Sequence, residues 1–273
     1  MPVSEFIDTI KRGNCVELMQ TMPGECVDLI VTDPPFAIDF KASRANYNRK
    51  ESRVIEGYNE IKGNDYQTFT LNWLSQASRV LKQSGSMYVF SGWNHLKEIL
   101  IAIDECGLTT INHLIWKYQF GVTTKRKYVT SHYHCLFLCK DDSKRRFYPF
   151  SRFGKEEKTA NGGSAHYKDK EDVWDIKREY WQGDKKTPTK LPAEIIEKIL
   201  DYSSKEGDLV LDPFLGSGQV AVVSKMRNRR YAGFEIVREY YEFALERLNS
   251  GNYRVKDDNE EDFDEERVGL FAL

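Results

Sequence analysis

Short apolar runs alternate with amphipathic stretches of helical period through most of this chain, and that alternation restricts its fold more than any other feature. The runs VDLIVTD (27–33), SMYVFS (86–91), DLVLDPF (208–214) and YAGFE (231–235) read as buried strands. Helical patterns lie between and after them. In 66–82, Phe69, Trp73, Leu74, Ala77, Val80 and Leu81 share one face; 94–107 is stopped by Gly107; 192–204 has Pro192 near its first turn; 218–228 and 238–249 complete the set. Strands separated by helices of roughly 10 to 15 residues require parallel crossovers, so the expected fold is α/β, with a mostly parallel, doubly wound sheet. The runs 111–118 and 134–140 are joined by too little chain for a helical crossover and predict an antiparallel hairpin at one edge.

Three regions lack this rhythm. Residues 39–65 are polar and basic and predict a long mobile loop. Residues 143–190 are rich in Lys, Arg, Gly and aromatics and predict an irregular insertion. From Lys256 the chain is acidic and predicts a disordered tail. The expected organisation is therefore one domain in two halves, 1–142 and 191–255, interrupted by the insertion at 143–190 and followed by a tail at 256–273.

The chain of 273 residues, 40% hydrophobic, can bury one sizeable core, and its net charge of −2 exerts no overall pull on nucleic acid or an anionic membrane. The five cysteines include no CxxC pair and no zinc-finger spacing with His, so they read as reduced thiols of a cytoplasmic protein, and no metal site is expected. The N-terminus has no signal-peptide core, and no apolar run approaches the ~20 residues that span a bilayer, so no membrane partner is expected.

Two strand endings carry the chemistry. In LVLDPFLGSGQVAVVSK a buried strand meets a glycine turn and a helix start. Gly216 and Gly218 permit positive φ and close backbone approach, and the helix amides point at any ligand held there. Glu235 ends the next strand, 19 residues after Gly216, where an acid can accept from ribose hydroxyls. The pattern suggests a nucleoside-bearing cofactor. Val220 and Ala221 follow where a dinucleotide fold would often place glycine, which disfavours a pyrophosphate. A glycine turn that binds nothing is the plain alternative. At the other ending, Asp33-Pro34-Pro35-Phe36, the two prolines remove donors and stiffen the chain. The Asp33 carboxylate and nearby carbonyls then form a cluster of acceptors, suited to an amino group that gives up hydrogen as it becomes a nucleophile, and Phe36 offers a flat face for a ring. Its plain alternative is a rigid turn. Ligands of open α/β sheets bind beyond the carboxyl ends of strands where strand order reverses, so the two endings are expected to be neighbours.

DPPF followed far downstream by DPFLGSG resembles the amino-methyltransferases of DNA, which transfer a methyl group from S-adenosylmethionine to an exocyclic base nitrogen. The order, catalytic motif first, resembles their β group, whose Rossmann-like sheet is circularly permuted. The resemblance spans roughly residues 8–250, including the opening GNCVELMQTMPGECVDLIVTDPPF, the stretch DVWDI (172–176) and the segment KKTPTKLPAEIIEKIL. It implies that Asp33 and the Pro34 carbonyl accept from the target amine beside Pro35, and that Phe36 stacks on the flipped base. It implies further that Asp212, Phe214, Gly216, Ser217 and Gly218 line the methionine part of the cofactor. Glu235 would hold its ribose, Thr189 and Lys190 would lie near its carboxylate, and Asn14 would contact adenine. The chain departs from the pattern at Phe36, where Tyr is commoner, and at Leu191, which breaks a usual Lys-Pro pair.

The implied reaction is direct displacement at the sulfonium methyl, with no metal and no catalytic cysteine. Asp at position 33 favours adenine N6; cytosine N4, an RNA substrate and a catalytically lapsed DNA-binding subunit remain as alternatives. A nicotinamide-dependent oxidoreductase is disfavoured by the missing third glycine. DNA contact would rest on local charge: from Lys117 to Lys158 there are 11 Lys or Arg against 4 Asp or Glu, interleaved with aromatics. The candidates are Lys41, Arg44 and Arg49 in the first loop, Lys125, Arg126 and Lys127, and Arg145, Arg146 and Arg152. The insertion would be the target-recognition module and residues 39–65 a loop closing on DNA. A cognate restriction endonuclease and a homodimer are partners that such a family allows.

Overall fold

One sheet of eight strands organises the protein, with helices on both faces. The computed structural model describes residues 1–35, 61, 63–118, 125–179 and 190–250. In chain order the strands are β1 (Thr9–Arg12), β2 (Val27–Thr32), β3 (Leu81–Ser91), β4 (Thr109–Lys117), β5 (His132–Cys139), β6 (Val173–Asp175), β7 (Leu209–Asp212) and β8 (Arg230–Glu235). The helices are α1 (Cys15–Gln20), α2 (Tyr66–Val80), α3 (Leu96–Glu105), α4 (Ala165–Asp169), α5 (Ala193–Ser203), α6 (Gln219–Met226) and α7 (Arg238–Ser250). Across the sheet the order is β1-β8-β7-β2-β3-β5-β4-β6.

Strands β1, β8, β7, β2 and β3 run parallel, as helical crossovers demand. From β2 the chain winds outward through β3, and from β7 it winds the other way through β8, so the order reverses between β2 and β7. Their register pairs Leu29 with Val210 and Ile30 with Leu211. The period of two is visible in β3. Met87 and Val89 join a core with Trp73, Leu74 and Ile99 of α2 and α3, while Tyr88 and Phe90 join the opposite core with Ile195, Ile196 and Ile199 of α5. Trp73 is wholly buried, which contributes on the order of 2–3 kcal/mol.

Strands β4 and β5 are antiparallel, as expected, but they are not the edge. β6 pairs parallel to β4 outside them, so part of the segment read as an insertion completes the sheet. The described remainder of 143–179 is irregular apart from α4 and an isolated bridge between Lys158 and Ser164. β3 begins at Leu81, where the sequence predicted helix to 82. Gly85 explains the close approach there: a Cβ would lie 2.9 Å from the Asp28 carbonyl on β2. The expected loop at 39–65 lies outside the described residues up to position 60, and the tail from 256 lies wholly outside them. No described helix is long and apolar enough to cross a membrane.

Candidate active site

The pairing fixes which groups share one end of the sheet. Ser91 of β3 faces His134 at the start of β5, and Lys117 at the end of β4 faces both His132 and Asp175. The carboxyl ends of β1, β2, β3, β4, β6, β7 and β8 therefore lie at the same end, with the amino end of β5.

There the endings of β2 and β7 meet as the sequence led us to expect. Thr32 Oγ1 donates to Asp212 Oδ1 at 3.0 Å, and the Phe214 N–H donates to the same oxygen at 3.1 Å. Asp33 follows directly. Its Oδ1 is buried and has no hydrogen-bond partner among the described residues. Burial raises the Asp33 carboxyl to about 7, against the opposing pull of the Arg178 charge. Burial also raises Asp212 to about 7, aided by the charges of Asp33 and Glu235 and resisted by its two hydrogen bonds. Pro34 is buried and Pro35 half-buried. Phe36 lies outside the described residues.

The glycine loop stands on β7. Gly216 has φ 50°, and a Cβ there would meet only the Phe214 carbonyl, at 3.9 Å, so this glycine leaves open space. Gly218, φ 78°, is different: a Cβ would sit 2.8 Å from Ala244 Cβ, so helix packing of α7 against the loop requires it. Phe214 packs against Phe69 and edge-on to Trp73. Ser217 is buried, and its carbonyl accepts from Arg247 of α7 at 2.7 Å. Glu235, at the end of β8, accepts from the Gly216 N–H and the Val237 N–H, both at 2.8 Å. Burial raises its carboxyl and these bonds oppose the rise. Asn14 caps α1 by accepting from the Val16 N–H at 2.9 Å, and it lies beside Glu235 because Arg12 pairs with Glu235 across the sheet.

Lys190 is brought to the same end. Its buried ammonium lies 2.6 Å from Glu179 Oε2, and burial lowers its pKa, with Glu179 opposing. Glu179 also accepts from the Ala193 N–H at 2.7 Å and from Gln219 Nε2 at 3.3 Å. Arg247 donates to the Gln219 side chain, and burial lowers its pKa to about 10. Thus a carboxylate is held by Lys190 and the starts of α5 and α6. Sequence reasoning missed Glu179, Arg247 and Arg178. The available signal was the charged run KRE, one residue after β6, and Arg247, a basic residue near the end of helix α7. Thr189 lies outside the described residues.

The basic candidates separate into groups. Lys125, Arg126 and Lys127 are exposed in the β4–β5 connection, at the same end as Asp33, next to a fully open Tyr128. Arg146 lies at the other end. It pairs with Asp28 at the start of β2 (2.7 Å) and with Asp208 just before β7 (3.1 Å), roughly 16 Å of strand away from Asp33. Arg145 pairs with Asp142 and covers the rings of Phe137 and Phe147, and Arg152 joins Asp169 and Asp201. The structure therefore does not bring these three to the site; their charges serve internal contacts. Lys41, Arg44 and Arg49 lie outside the described residues.

The five cysteines are unpaired. Burial pushes Cys15 up to about 12 and Cys135 well above the usual thiol range, so both are neutral core residues rather than nucleophiles. Among the described residues, no group of three or more His, Cys, Asp or Glu is arranged to hold a metal.

Comparison with known proteins agrees with this geometry. The chain is 28% identical over 266 residues to the type II methyltransferase M.HinfI of Haemophilus influenzae, spanning 90% of this chain and 69% of that protein. It is 31% identical over 243 residues to M2.LlaDCHI of Lactococcus lactis subsp. cremoris, spanning 86% and 87%. Among solved structures, TTHA0409 of Thermus thermophilus complexed with S-adenosyl-L-methionine superposes with a TM-score of 0.66 at 20% identity, over 89% of this chain and 93% of that one. The cytosine-N4-specific PvuII DNA methyltransferase gives 0.66 at 17% identity, over 90% and 95%. The sheet thus has the Rossmann-like fold of these methyltransferases. The N6/N4 family model described as DNA methylase matches residues 27–246, and the chain belongs to that family.

Proposed function

We propose that this protein is a site-specific DNA methyltransferase that transfers a methyl group from S-adenosylmethionine to the 6-amino group of adenine on a base flipped out of the duplex. The observation that carries the reading is the junction of β2 and β7. Hydrogen-bonded strand ends put a glycine loop beside a buried Asp33 oxygen that has no partner among the described residues. Asp rather than Ser at position 33 supports adenine, and the order of DPPF before the glycine loop supports the permuted β group.

The residues fit the cofactor. Gly216 leaves space for close approach beside Asp212, where the methionine part would lie, Glu235 is an acceptor suited to the ribose, and Lys190 with the start of α5 already holds a carboxylate, that of Glu179. When bound, S-adenosylmethionine supplies an electrophilic sulfonium methyl. The protein's task is positioning and electrostatics. Asp33 and the Pro34 carbonyl accept from the amine, draw its nitrogen toward tetrahedral geometry and aim its lone pair. The prolines keep donors away from that nitrogen. Phe36 would stack on the base; as the nitrogen takes the methyl, the methyl–sulfur bond would break, S-adenosylhomocysteine would leave, and the surplus proton of the methylated nitrogen would pass to water.

The exposed Lys125, Arg126 and Lys127 would grip phosphates at the same end, and residues 39–65 would close over DNA. A cytoplasmic role beside a cognate restriction endonuclease, as a monomer or homodimer, fits this reading. Incubation with mixed-sequence duplex and methyl-labelled cofactor, digestion to nucleosides and identification of the label test it. N6-methyladenosine is expected; N4-methylcytosine would overturn the assignment of the base.

A further inference from the structure

The segment leaving β6 reads IKRE, and its arginine lies at the site end of β4 and β5. The Arg178 guanidinium carbon lies 3.9 Å from the centre of the Tyr118 ring, 5.4 Å from Tyr133 and 5.9 Å from Trp116. These rings sit at the site end of β4 and β5 with mutual spacings of 5.5 to 5.6 Å. Trp116 Nε1 also donates to the Ile176 carbonyl at 2.8 Å, which anchors the segment that carries Arg178. A flat cation fixed over aromatic faces is attracted by their negative faces and is less mobile than a solvated one. At the same end of the sheet the atoms Asp33 Oδ1 and Arg178 Nε are both buried, and neither atom has a hydrogen-bond partner among the described residues, while the Arg178 guanidinium also hydrogen-bonds the Tyr133 side chain. Tyr133 feels the charge of both.

We propose that Arg178 is a positioning residue for methyl transfer: its guanidinium, fixed by the rings of Trp116, Tyr118 and Tyr133, holds a permanent positive charge beside Asp33 and keeps that carboxylate in the acceptor-only form. The inference rests on the reading of Asp33 as the acceptor of the target amine. An ionised carboxylate only accepts; a neutral one can present an O–H to the amine nitrogen and tie up the lone pair that must attack. Around Asp33 stand Asp212 at the end of β7, Tyr66 at the start of α2, and Tyr133 and Cys135 on β5. Burial pushes the two phenols and the thiol up, so they stay neutral, and Asp212 opposes ionisation. Among the described residues, Arg178 is the positive charge acting on Asp33, and it works against burial.

The test is kcat against pH at saturating DNA and cofactor, for the parent, Arg178→Gln, Arg178→Lys and Asp33→Asn, with cofactor affinity measured calorimetrically. For Arg178→Gln the acidic limb should move up by about one pH unit or more, giving about tenfold slower transfer below the limb and recovery as pH rises. Arg178→Lys should keep the limb near the parent's, and cofactor affinity should change little in either. An Arg178→Gln profile lowered equally at every pH, with its midpoint unmoved, would mean a packing role only and would overturn the proposal. If Arg178→Gln fails to bind cofactor, Arg178→Met, uncharged but able to fill the ring box, takes its place with the same shift expected. Asp33→Asn separates the two ideas. Full activity in Asp33→Asn would sink the reading of Asp33, and the inference with it. An inactive Asp33→Asn beside an unmoved Arg178→Gln midpoint would sink the inference alone.

Discussion

Gly218→Ala separates a glycine needed for packing from one needed for a ligand. Two costs can be worked from the structure. At φ 78° an L-residue is strained, by about 1 kcal/mol. The new Cβ would also lie 2.8 Å from Ala244 Cβ and 3.2 Å from Ala244 Cα, inside contact distance, and overpacking of this kind costs about 1–3 kcal/mol. The sum is about 2–4 kcal/mol, a large part of the total stability of an ordinary domain. Urea unfolding of the cofactor-free protein measures it. The double variant Gly218→Ala/Ala244→Gly removes the opposing methyl and should recover part of the packing cost, but none of the strain. Gly216→Ala carries strain alone, because its Cβ would meet only a carbonyl at 3.9 Å. It should cost about 1 kcal/mol of stability and show its larger effect in cofactor affinity. A Gly218→Ala protein within about 0.5 kcal/mol of the parent would refute the packing argument.

Three further outcomes are expected. Arg146→Gln should lower stability by about 1–2 kcal/mol, because it strips Asp28 and Asp208 of a half-buried partner, while leaving DNA affinity unchanged; titration of a labelled duplex checks the second part. The triple change Lys125→Gln/Arg126→Gln/Lys127→Gln should instead weaken DNA binding and flatten its salt dependence by up to about one log-log unit for each phosphate no longer neutralised. Asp212→Asn should gain stability relative to the parent as pH rises from about 4 to about 7. The folded carboxyl titrates near 7 and the unfolded one near 3.8, so over that window the parent's native state holds a proton that its unfolded state releases, and the parent is progressively destabilised. The full span is on the order of 4 kcal/mol at most, read from urea unfolding at a series of pH values.

The parts of the fold legible in the sequence are those with a strong period. β2, β7 and β8 are buried on both faces and stand out as apolar runs, and α2 shows its stripe from Phe69 to Val80. β6 was not legible from periodicity. Its three residues run exposed, buried, exposed, and only pairing with β4 makes them a strand and moves the hairpin inward from the edge. The boundary at Leu81 was misplaced because the apolar period of α2 continues into β3, where Gly85 allows close approach to β2.

The site divides similarly. Asp33, Asp212, Gly216 and Glu235 belong to strand endings, which turn chemistry marks. Arg178 and Glu179 act through contacts with Tyr118 and Lys190, which no local pattern records. The basic run from Lys117 to Lys158 divides in space because β5 carries the chain from one end of the sheet to the other. Lys125 and Arg146 therefore face opposite ends although composition treats them alike.

The central claim is that the end of β7 holds the methyl donor while the end of β2 holds the acceptor. The most direct test is Asp33→Ala, measured for both cofactor binding and methyl transfer. The account predicts cofactor affinity within about threefold of the parent and transfer lowered by about 10²-fold or more. Transfer at the parent's rate, or cofactor binding lost together with transfer in a protein that unfolds normally, would contradict it.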